Sequence, residues 1–309
     1  DTYDAYGRLS QSVTNRTQAG NPNVQIITGY TYDQYGRLSR QTNTITSQST
    51  QGPVTTVEVV DYTYDQYGRV LTQTTNTTSP DGSATRNIVT YTYDAFGRVL
   101  QANTNHTNAD GSTYNITSTY EYDQFGRVSK VTSLKTQVID GVTQTSTDVT
   151  TNTYDQFGRV YRAVIDHTDA AGVVTHDDIT YEFDQYGRIS AQTTIHTDAA
   201  GIITTKEDTY TYDANGQLIV NGNTINNPDN TNTIGNTSYL YDQFNRVIRA
   251  TTTTTNADGT QNTSVVTYIY DSFGRVATQT SVLTKSDGTV TVDVTNYTYD
   301  AYGRLSQSV

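Results

Sequence analysis

The side chains that could do chemistry in this chain are carboxylates spaced at regular intervals. An Asp recurs eleven times, each within a Tyr-Asp-x-aromatic-Gly-Arg sequence or a close variant of it: Asp4, Asp33, Asp65, Asp94, Asp123, Asp155, Asp184, Asp213, Asp242, Asp271 and Asp300. Acid–base catalysis needs such groups to converge at one place, whereas here each repeat carries one. The chain has no Cys nucleophile, no phosphate-binding loop and no Ser/His/Asp ordering. We therefore expect that the chain is not an enzyme and that the recurrent Asp has a structural role.

Metal binding is the other chemistry that the sequence suggests. His106, His167 and His196 each lie twelve residues after a recurrent Asp. Equivalent positions two strands apart in a sheet are about 9.6 Å from each other, too far for one ion with ligands at about 2.1 Å. The acidic loops at 108–111 and 256–259 lack the dense alternating carboxylates of calcium loops. We expect no metal and no cofactor, and ordinary hairpin turns at both loops.

The composition limits the kind of core that the chain can form. Only 33% of the 309 residues are hydrophobic, there is no Met, Trp or Cys, and the aromatic set is 26 Tyr and 6 Phe. Many Val, Ile and Tyr residues favour strands and argue against disorder. We therefore predict an ordered but thin β-sheet. Absence of Cys excludes disulfides.

Charge and hydropathy constrain the partners. A net charge of −12 disfavours nucleic acid and anionic membranes, and no apolar run is long enough to span a bilayer. Since the chain begins within a motif, we expect it to be a fragment of a longer exported protein whose export signal lies outside this segment. Its predicted location is extracellular or at a bacterial cell surface.

The spacing of the motif predicts a repeat architecture. Eight of the ten intervals between recurrent Asp residues are 29 residues long and two are 32. A period of this size, held over the whole chain, is typical of stacked units that cannot bury their surface alone. We predict one continuous array over residues 1–309 with about ten repeats.

Each repeat contains two turn signals separated by two runs with alternating β-branched residues, such as 70–78 and 85–93. The second turn lies seventeen residues after the Asp, at Gly82, Gly111, Gly172, Gly201, Gly259, Gly288 and, in one repeat, Asn230. We expect all four prolines (Pro22, Pro53, Pro80 and Pro228) and the extra residues of the longer repeats in this second loop. The pattern predicts an all-β fold, a long antiparallel hairpin meander. A twisted sheet of about twenty strands should curl or close.

The tyrosines indicate the two faces of this sheet. Of 26 Tyr, 24 lie one or three residues before the recurrent Asp or two residues after it. Because side chains alternate along a strand, Tyr91 and Tyr93 share one face and Thr90 and Thr92 the other. We expect Tyr columns across one face near the motif end.

The motif residues have distinct predicted roles. The Asp should accept turn amides, the Gly should supply a positive φ angle, and the Arg should pair with the Asp and stack on a Tyr ring. Asn245 replaces the Gly once, whereas Asn215 and Gln217 replace the aromatic residue and the Arg in the repeat of Asp213, which we expect to be the weakest hairpin. The predicted structural-motif residues are Tyr32, Asp33, Gly36, Arg37, Tyr64, Asp65, Gly68, Arg69, Tyr93, Asp94, Gly97, Arg98, Tyr122, Asp123, Gly126, Arg127, Tyr154, Asp155, Gly158, Arg159, Asp184, Gly187, Arg188, Asp271, Gly274 and Arg275.

The sequence Tyr-Asp-Gln-Tyr-Gly-Arg-Leu at residues 32–38 and its ten relatives resemble the YD repeats of the Rhs family of bacterial surface and toxin proteins, which also occur in teneurins. The resemblance implies a β-meander wound into a hollow tube or shell with Tyr columns in its wall. In that family the shell can enclose a toxic cargo. Residues 2–13 read identically to residues 298–309, which suggests that blocks of ten hairpins recur in a longer rod, tube or filament.

Three functions remain open at this point. The first is a structural protein, part of an extracellular β-sheet tube or filament whose partners are neighbouring repeats or copies joined end to end. The second is a shell segment that encloses a toxin. The third is a surface adhesin that binds carbohydrate through exposed Tyr side chains, with glycans as partners.

Overall fold

The computed structural model describes residues 1–16, 24–49, 52–229, 231–300, 303 and 305–308, and the side chain of Ser49 is not described. The predicted second-turn residues Pro22 and Asn230, and Arg304 of the last motif, lie outside the described residues. Within the described part every regular element is a β-strand. The all-β prediction is confirmed.

The chain divides into two compact units, residues 1–149 with 168–172, and residues 150–167 with 173–309. The division falls within β11 (Val142–Tyr154). The strands before it are β1 (Thr2–Tyr3), β2 (Leu9–Arg16), β3 (Val24–Tyr32), β4 (Leu38–Ser49), β5 (Gly52–Tyr64), β6 (Val70–Thr78), β7 (Ala84–Tyr93), β8 (Val99–Thr107), β9 (Thr113–Tyr122) and β10 (Val128–Ile139). In this unit each strand from β1 to β9 pairs antiparallel with the next one in sequence.

The second unit has the same construction. Its strands are β12 (Val160–Thr168), β13 (Val174–Phe183), β14 (Ile189–Thr197), β15 (Ile203–Tyr212), β16 (Leu218–Asn226), β17 (Asn232–Tyr241), β18 (Val247–Thr255), β19 (Gln261–Tyr270), β20 (Val276–Thr284), β21 (Val290–Tyr299) and β22 (Leu305–Ser308). Each strand from β13 to β21 pairs antiparallel with the next strand in sequence. Both units are therefore antiparallel meanders. The winding of the sheet into a tube stays a prediction.

The two 32-residue repeats differ from the prediction. Their extra residues lengthen the strands, since β4 and β10 have 12 residues and β5 and β11 have 13, against 9 and 10 in the other complete repeats. In the second of them a two-residue turn, Asp140 and Gly141 with φ angles of 51° and 76°, replaces the longer loop. Pro53 accordingly lies in β5, opposite Gln48, and not in a loop. Being the second residue of its strand, it interrupts the ladder little.

The sheet has very little core. Among the described residues no side chain is completely buried, and the buried apolar set consists of Val60, Ala102 and Ala163. On β5 the rings of Tyr62 and Tyr64 are half-buried, while Thr63 between them is exposed and its hydroxyl lies 2.6 Å from that of Thr72. One face near the motif end is thus lined by tyrosine and the other by threonine. Contacts along the sheet, more than contacts through it, hold the strands together.

Candidate functional site: the arginine bridges at the motif turns

The recurrent motif forms a tight hairpin loop, here called the motif turn. In the turn at 33–37, the Asp33 amide donates to the Arg37 carbonyl at 2.8 Å and the Gly36 amide donates to the Asp33 carbonyl at 3.0 Å. Gly36 has a φ of 81°, a conformation that costs other residues energy. This is a three-residue loop closed by a left-handed glycine. The same two bonds occur in the turns that begin at Asp4, Asp65, Asp94, Asp123, Asp155, Asp184, Asp213, Asp242 and Asp271.

The Asp carboxylate holds the loop from within. Oδ1 of Asp33 accepts the amides of Tyr35 and Arg37 at 2.8 and 2.9 Å, and Oδ2 accepts Nε of Arg37 at 2.7 Å. Desolvation opposes ionisation, but the amide and guanidinium of Arg37 and the amide of Tyr35 outweigh it and lower the pKa of Asp33. The same arrangement, with a lowered pKa, is found at Asp4, Asp65, Asp94, Asp123, Asp155, Asp184, Asp242 and Asp271.

The guanidinium of Arg37 connects its hairpin to the next one. Arg37 lies over the ring of Tyr35 in its own turn at 4.9 Å and over the ring of Tyr64, at the end of the next hairpin, at 4.4 Å. A guanidinium over an aromatic face is attracted by the ring quadrupole. We call this contact between successive hairpins an arginine bridge. Equivalent pairs of ring contacts are made by Arg8, Arg69, Arg98, Arg159, Arg188, Arg246 and Arg275.

The tyrosine hydroxyl adds a second connection. Tyr64 donates to the carbonyl of Leu38, the residue after Arg37, at 2.6 Å. Burial and the negative charge of Asp33 raise the pKa of Tyr64. The same bond is made by Tyr32, Tyr93, Tyr122, Tyr212, Tyr241, Tyr270 and Tyr299. Phe183 stands at this position once and keeps the ring contact, at 4.0 Å from Arg159.

The arginine bridge also restricts the glycine of the next turn. A Cβ added to Gly187 would lie 3.1 Å from Nη1 of Arg159, which is closer than ordinary van der Waals contact. At the second turns a Cβ would meet nothing within 4 Å, as at Gly201. At Gly187, glycine therefore suits both the backbone conformation and the space that Arg159 leaves.

The repeat of Asp213 has no arginine bridge of its own. Oδ1 of Asp213 accepts the amides of Asn215 and Gln217 at 2.9 and 2.8 Å, so the loop is preserved. In the described part of the chain no cation lies against the carboxylate of Asp213 or over the ring of Tyr241, although the Tyr241 hydroxyl still donates to Leu218 at 2.8 Å. The predicted weakness of this hairpin remains a prediction, but its missing contact is now identified.

All predicted motif residues lie at a motif turn or at the strand end that precedes one. Sequence reasoning missed that the Arg reaches the following hairpin and that the Tyr hydroxyl bonds to the main chain. One signal was present. The position before the Asp is Tyr in ten of eleven copies, whereas the position two after it is Tyr in five and Phe in five. Among the described residues, only the first of these positions uses its hydroxyl in a hydrogen bond, as Tyr64 and Tyr122 do.

The histidines occupy the sheet surface. His106 stacks on Tyr114 with centroids 4.7 Å apart, and Nδ1 of His196 lies 2.7 Å from Oδ1 of Asp177. Within the described ranges, no three or more His, Asp or Glu side chains are grouped closely enough to hold a metal ion.

Among the described residues the structure contains no helix with the length and apolarity that a membrane span requires.

Comparison with known proteins adds little to this geometry. No family model and no curated protein sequence matches the chain. Among solved structures, a porin-like protein from Bacteroides vulgatus is similar at 14% identity and a TM-score of 0.32, covering 68% of this chain and 90% of that one. A porin-like protein from Bacteroides uniformis is similar at 14% identity and a TM-score of 0.30, covering 79% and 95%. Likenesses this weak carry no argument about function.

Proposed function

We propose that this chain is a non-enzymatic structural protein, a segment of an extracellular β-sheet tube or filament built from YD repeats. The observation that supports the proposal is the arginine bridge. In each of the eight bridges the Arg pairs with the Asp of its own turn and stacks on the strand-end ring of the following hairpin, as Arg37 does. The charged groups of the motif are thus used to join successive repeats.

The arrangement favours extension. Every bridge presents the same groups on one side of a hairpin and receives the same groups on the other, so the contact is heterologous, and a heterologous contact that does not close propagates. In such arrays stability is the sum of repeat and nearest-neighbour terms. Eight bridges with nearly identical geometry, at 4.0 to 4.4 Å from the following ring, fit a protein selected for regularity.

Electron microscopy of the natural and of the purified material tests the proposal. We expect uniform fibres or tubes with a repeat that accommodates the hairpin period. Closed hollow particles with internal density would replace the filament by a toxin-enclosing shell. Dispersed particles at all concentrations, in both materials, would contradict both assemblies.

A carbohydrate-binding adhesin is a second candidate because the turn rings form an exposed series. The aromatic residues two positions after the Asp expose between 66% (Phe244) and 84% (Tyr6 and Phe96) of their surface. Between two motif turns, an open groove of about 540 Å³ is lined by Tyr186, Tyr210 and Tyr212 among others. Sugar rings commonly pack on such aromatic faces.

A glycan array tests this second candidate with a matched pair of variants. We expect binding to be lost in Tyr186→Ala, which removes a ring at the groove, and kept in Tyr6→Ala. Absence of binding to every glycan, or equal binding by both variants, would remove the groove from consideration.

A further inference from the structure

The arginine bridges define how this fold holds a guanidinium group. In the bridge of Arg188, a guanidinium nitrogen lies 2.6 Å from Oδ2 of Asp184, and the group stacks over Tyr212 at 4.3 Å. Seven other repeats repeat this geometry. A carboxylate oxygen and an aromatic face, supplied by successive hairpins, thus hold the guanidinium, and the ring of Tyr186 in its own turn is a third contact at 4.9 Å.

The repeat of Asp213 supplies the carboxylate and the strand-end ring without the Arg, while Asn215 replaces the ring of the turn. Asp213 is ionisable and placed by two amide bonds, and Tyr241 is fixed by its hydroxyl bond to Leu218. Gln217 is neutral and shorter than Arg. Within the described residues, Oδ2 of Asp213 has no hydrogen-bond or ion-pair partner.

The neighbouring substitution fits this interpretation. In eight repeats Nη1 of the Arg lies 3.1 to 3.7 Å from a Cβ placed on the next motif glycine. The one motif turn without glycine has Asn245, at a φ of 65°, and it directly follows the repeat with Gln217. Because Gln217 is shorter than Arg, it leaves space for the side chain of Asn245. Asn245 also adds an exposed amide oxygen that can accept a hydrogen bond.

We propose that Asp213, Tyr241 and Asn245 form a docking site for the guanidinium group of an arginine side chain from another polypeptide. The guanidinium is preferred over an ammonium because its planar fork matches a carboxylate and stacks on a ring. The charge of this chain, −12, also attracts a basic partner. A group that is not tethered to residue 217 can contact Asp213 and Tyr241 while lying farther from the Asn245 Cβ.

The test is a titration of the full chain with methylguanidinium chloride, and with a capped Gly-Arg-Gly peptide, at constant ionic strength. Amide resonances of Gly216 and Asn245 are followed by NMR. We expect weak, saturable shifts with both probes, and much smaller shifts with methylammonium and a capped Gly-Lys-Gly peptide. Saturation by methylguanidinium without the peptide would restrict the site to free small cations and contradict docking of a polypeptide.

Two variants make the result specific. Gln217→Arg combined with Asn245→Gly restores the Arg and the following glycine that the other repeats have at these two positions, so it should fold and should lose the saturable shifts because its own Arg occupies the site. Asp213→Asn should weaken binding by about tenfold or more. Absence of saturable shifts in the parent chain, or equal binding by the double variant, would overturn the proposal. These results do not depend on whether the chain assembles into filaments.

Discussion

The turns at the two ends of β14 have the same loop but different tasks. The motif turn at 184–188 and the second turn at 198–202 both begin with Asp and have a left-handed Gly in fourth place, with φ angles of 82° and 78°. In both, Oδ1 of the Asp accepts the amides of the third and fifth residues. They differ in the third residue, Tyr186 or Ala200, and in the fifth, Arg188 or Ile202.

This difference separates loop formation from hairpin connection. Asp and Gly alone suffice for the loop, as the second turn demonstrates. The added Arg reaches the following hairpin, where it stacks on Tyr212 at 4.3 Å. The motif therefore combines a turn sequence with a contact between hairpins. Each of the two can be removed by a separate mutation.

Acid should produce the largest effect because it acts on nine motif turns at once. In these turns the pKa of the Asp is lowered in the folded chain, as at Asp184, where desolvation is outweighed by the guanidinium and amide of Arg188 and the amide of Tyr186. The unfolded value is about 3.9. Below it the unfolded chain binds more protons than the folded one, so stability falls as pH falls.

We therefore expect constant stability from these groups above about pH 5 and progressive loss below about pH 4. Thermal unfolding followed by circular dichroism across this range measures the loss. Asp184→Asn should show a shallower acid dependence than the parent chain. A melting temperature that stays constant down to about pH 2 would show that the carboxylates contribute nothing.

Replacing either of the two turn glycines by alanine should give the next largest loss of stability. Gly187→Ala and Gly201→Ala both force a side chain into the left-handed region, which costs about 1 kcal/mol. Gly187→Ala also brings a methyl group to 3.1 Å from Nη1 of Arg159, whereas position 201 is open. We expect a loss of about 2 kcal/mol at position 187 against about 1 kcal/mol at position 201.

Hydrogen exchange of the amides in the flanking strands measures both local losses, because it reports opening free energies region by region. Equal losses at the two sites would mean that Arg159 moves aside without cost. The arginine bridge would then be adaptable and not tightly fitted.

The sequence predicted the hairpins well because local signals coincide there. The run at 70–78 was predicted as a strand and is β6, and the run at 85–93 lies within β7. Turn residues bracket both runs and β-branched residues alternate within them. In the second of the longer repeats the loop prediction is wrong because Asp140 and Gly141 close a two-residue turn, so residues expected in a loop join the strands.

The arginine bridge could be predicted only in part. Pairing of Arg with Asp and stacking on a ring follow from proximity within one turn. Contact of Arg37 with Tyr64 joins residues far apart in sequence, and it depends on which strand end lies beside the turn. Gln217 replaces the motif Arg, and Asn245 replaces the glycine of the next motif turn. Their occurrence in successive repeats indicates the contact, but it can be recognised only once the Arg is known to lie against the next glycine.

A double-mutant cycle at residues 217 and 245 tests whether the two substitutions are energetically coupled. In the parent chain Gln217→Arg should gain little, because Asn245 crowds the new guanidinium. In the Asn245→Gly background the same change should stabilise by about 1 kcal/mol through the stack on Tyr241. The coupling energy, obtained from denaturant or thermal unfolding of four proteins, should be about 0.5 to 1 kcal/mol. Additive effects would show that the two departures are independent.

The smallest expected effect separates the ring of the strand-end Tyr from its hydroxyl. Tyr122→Phe removes the bond to the Val99 carbonyl, 2.7 Å long, and keeps the ring under Arg98. A net hydrogen bond contributes about 0.5 to 1.5 kcal/mol, and Phe183 shows that the array accepts the loss. Tyr67→Phe is the matched control, since the Tyr67 ring is 74% exposed. The free energy of unfolding should decrease in Tyr122→Phe and stay unchanged in Tyr67→Phe. An equal shift at position 67 would mean that general ring polarity, and not the bond between hairpins, explains the preference for Tyr before the Asp.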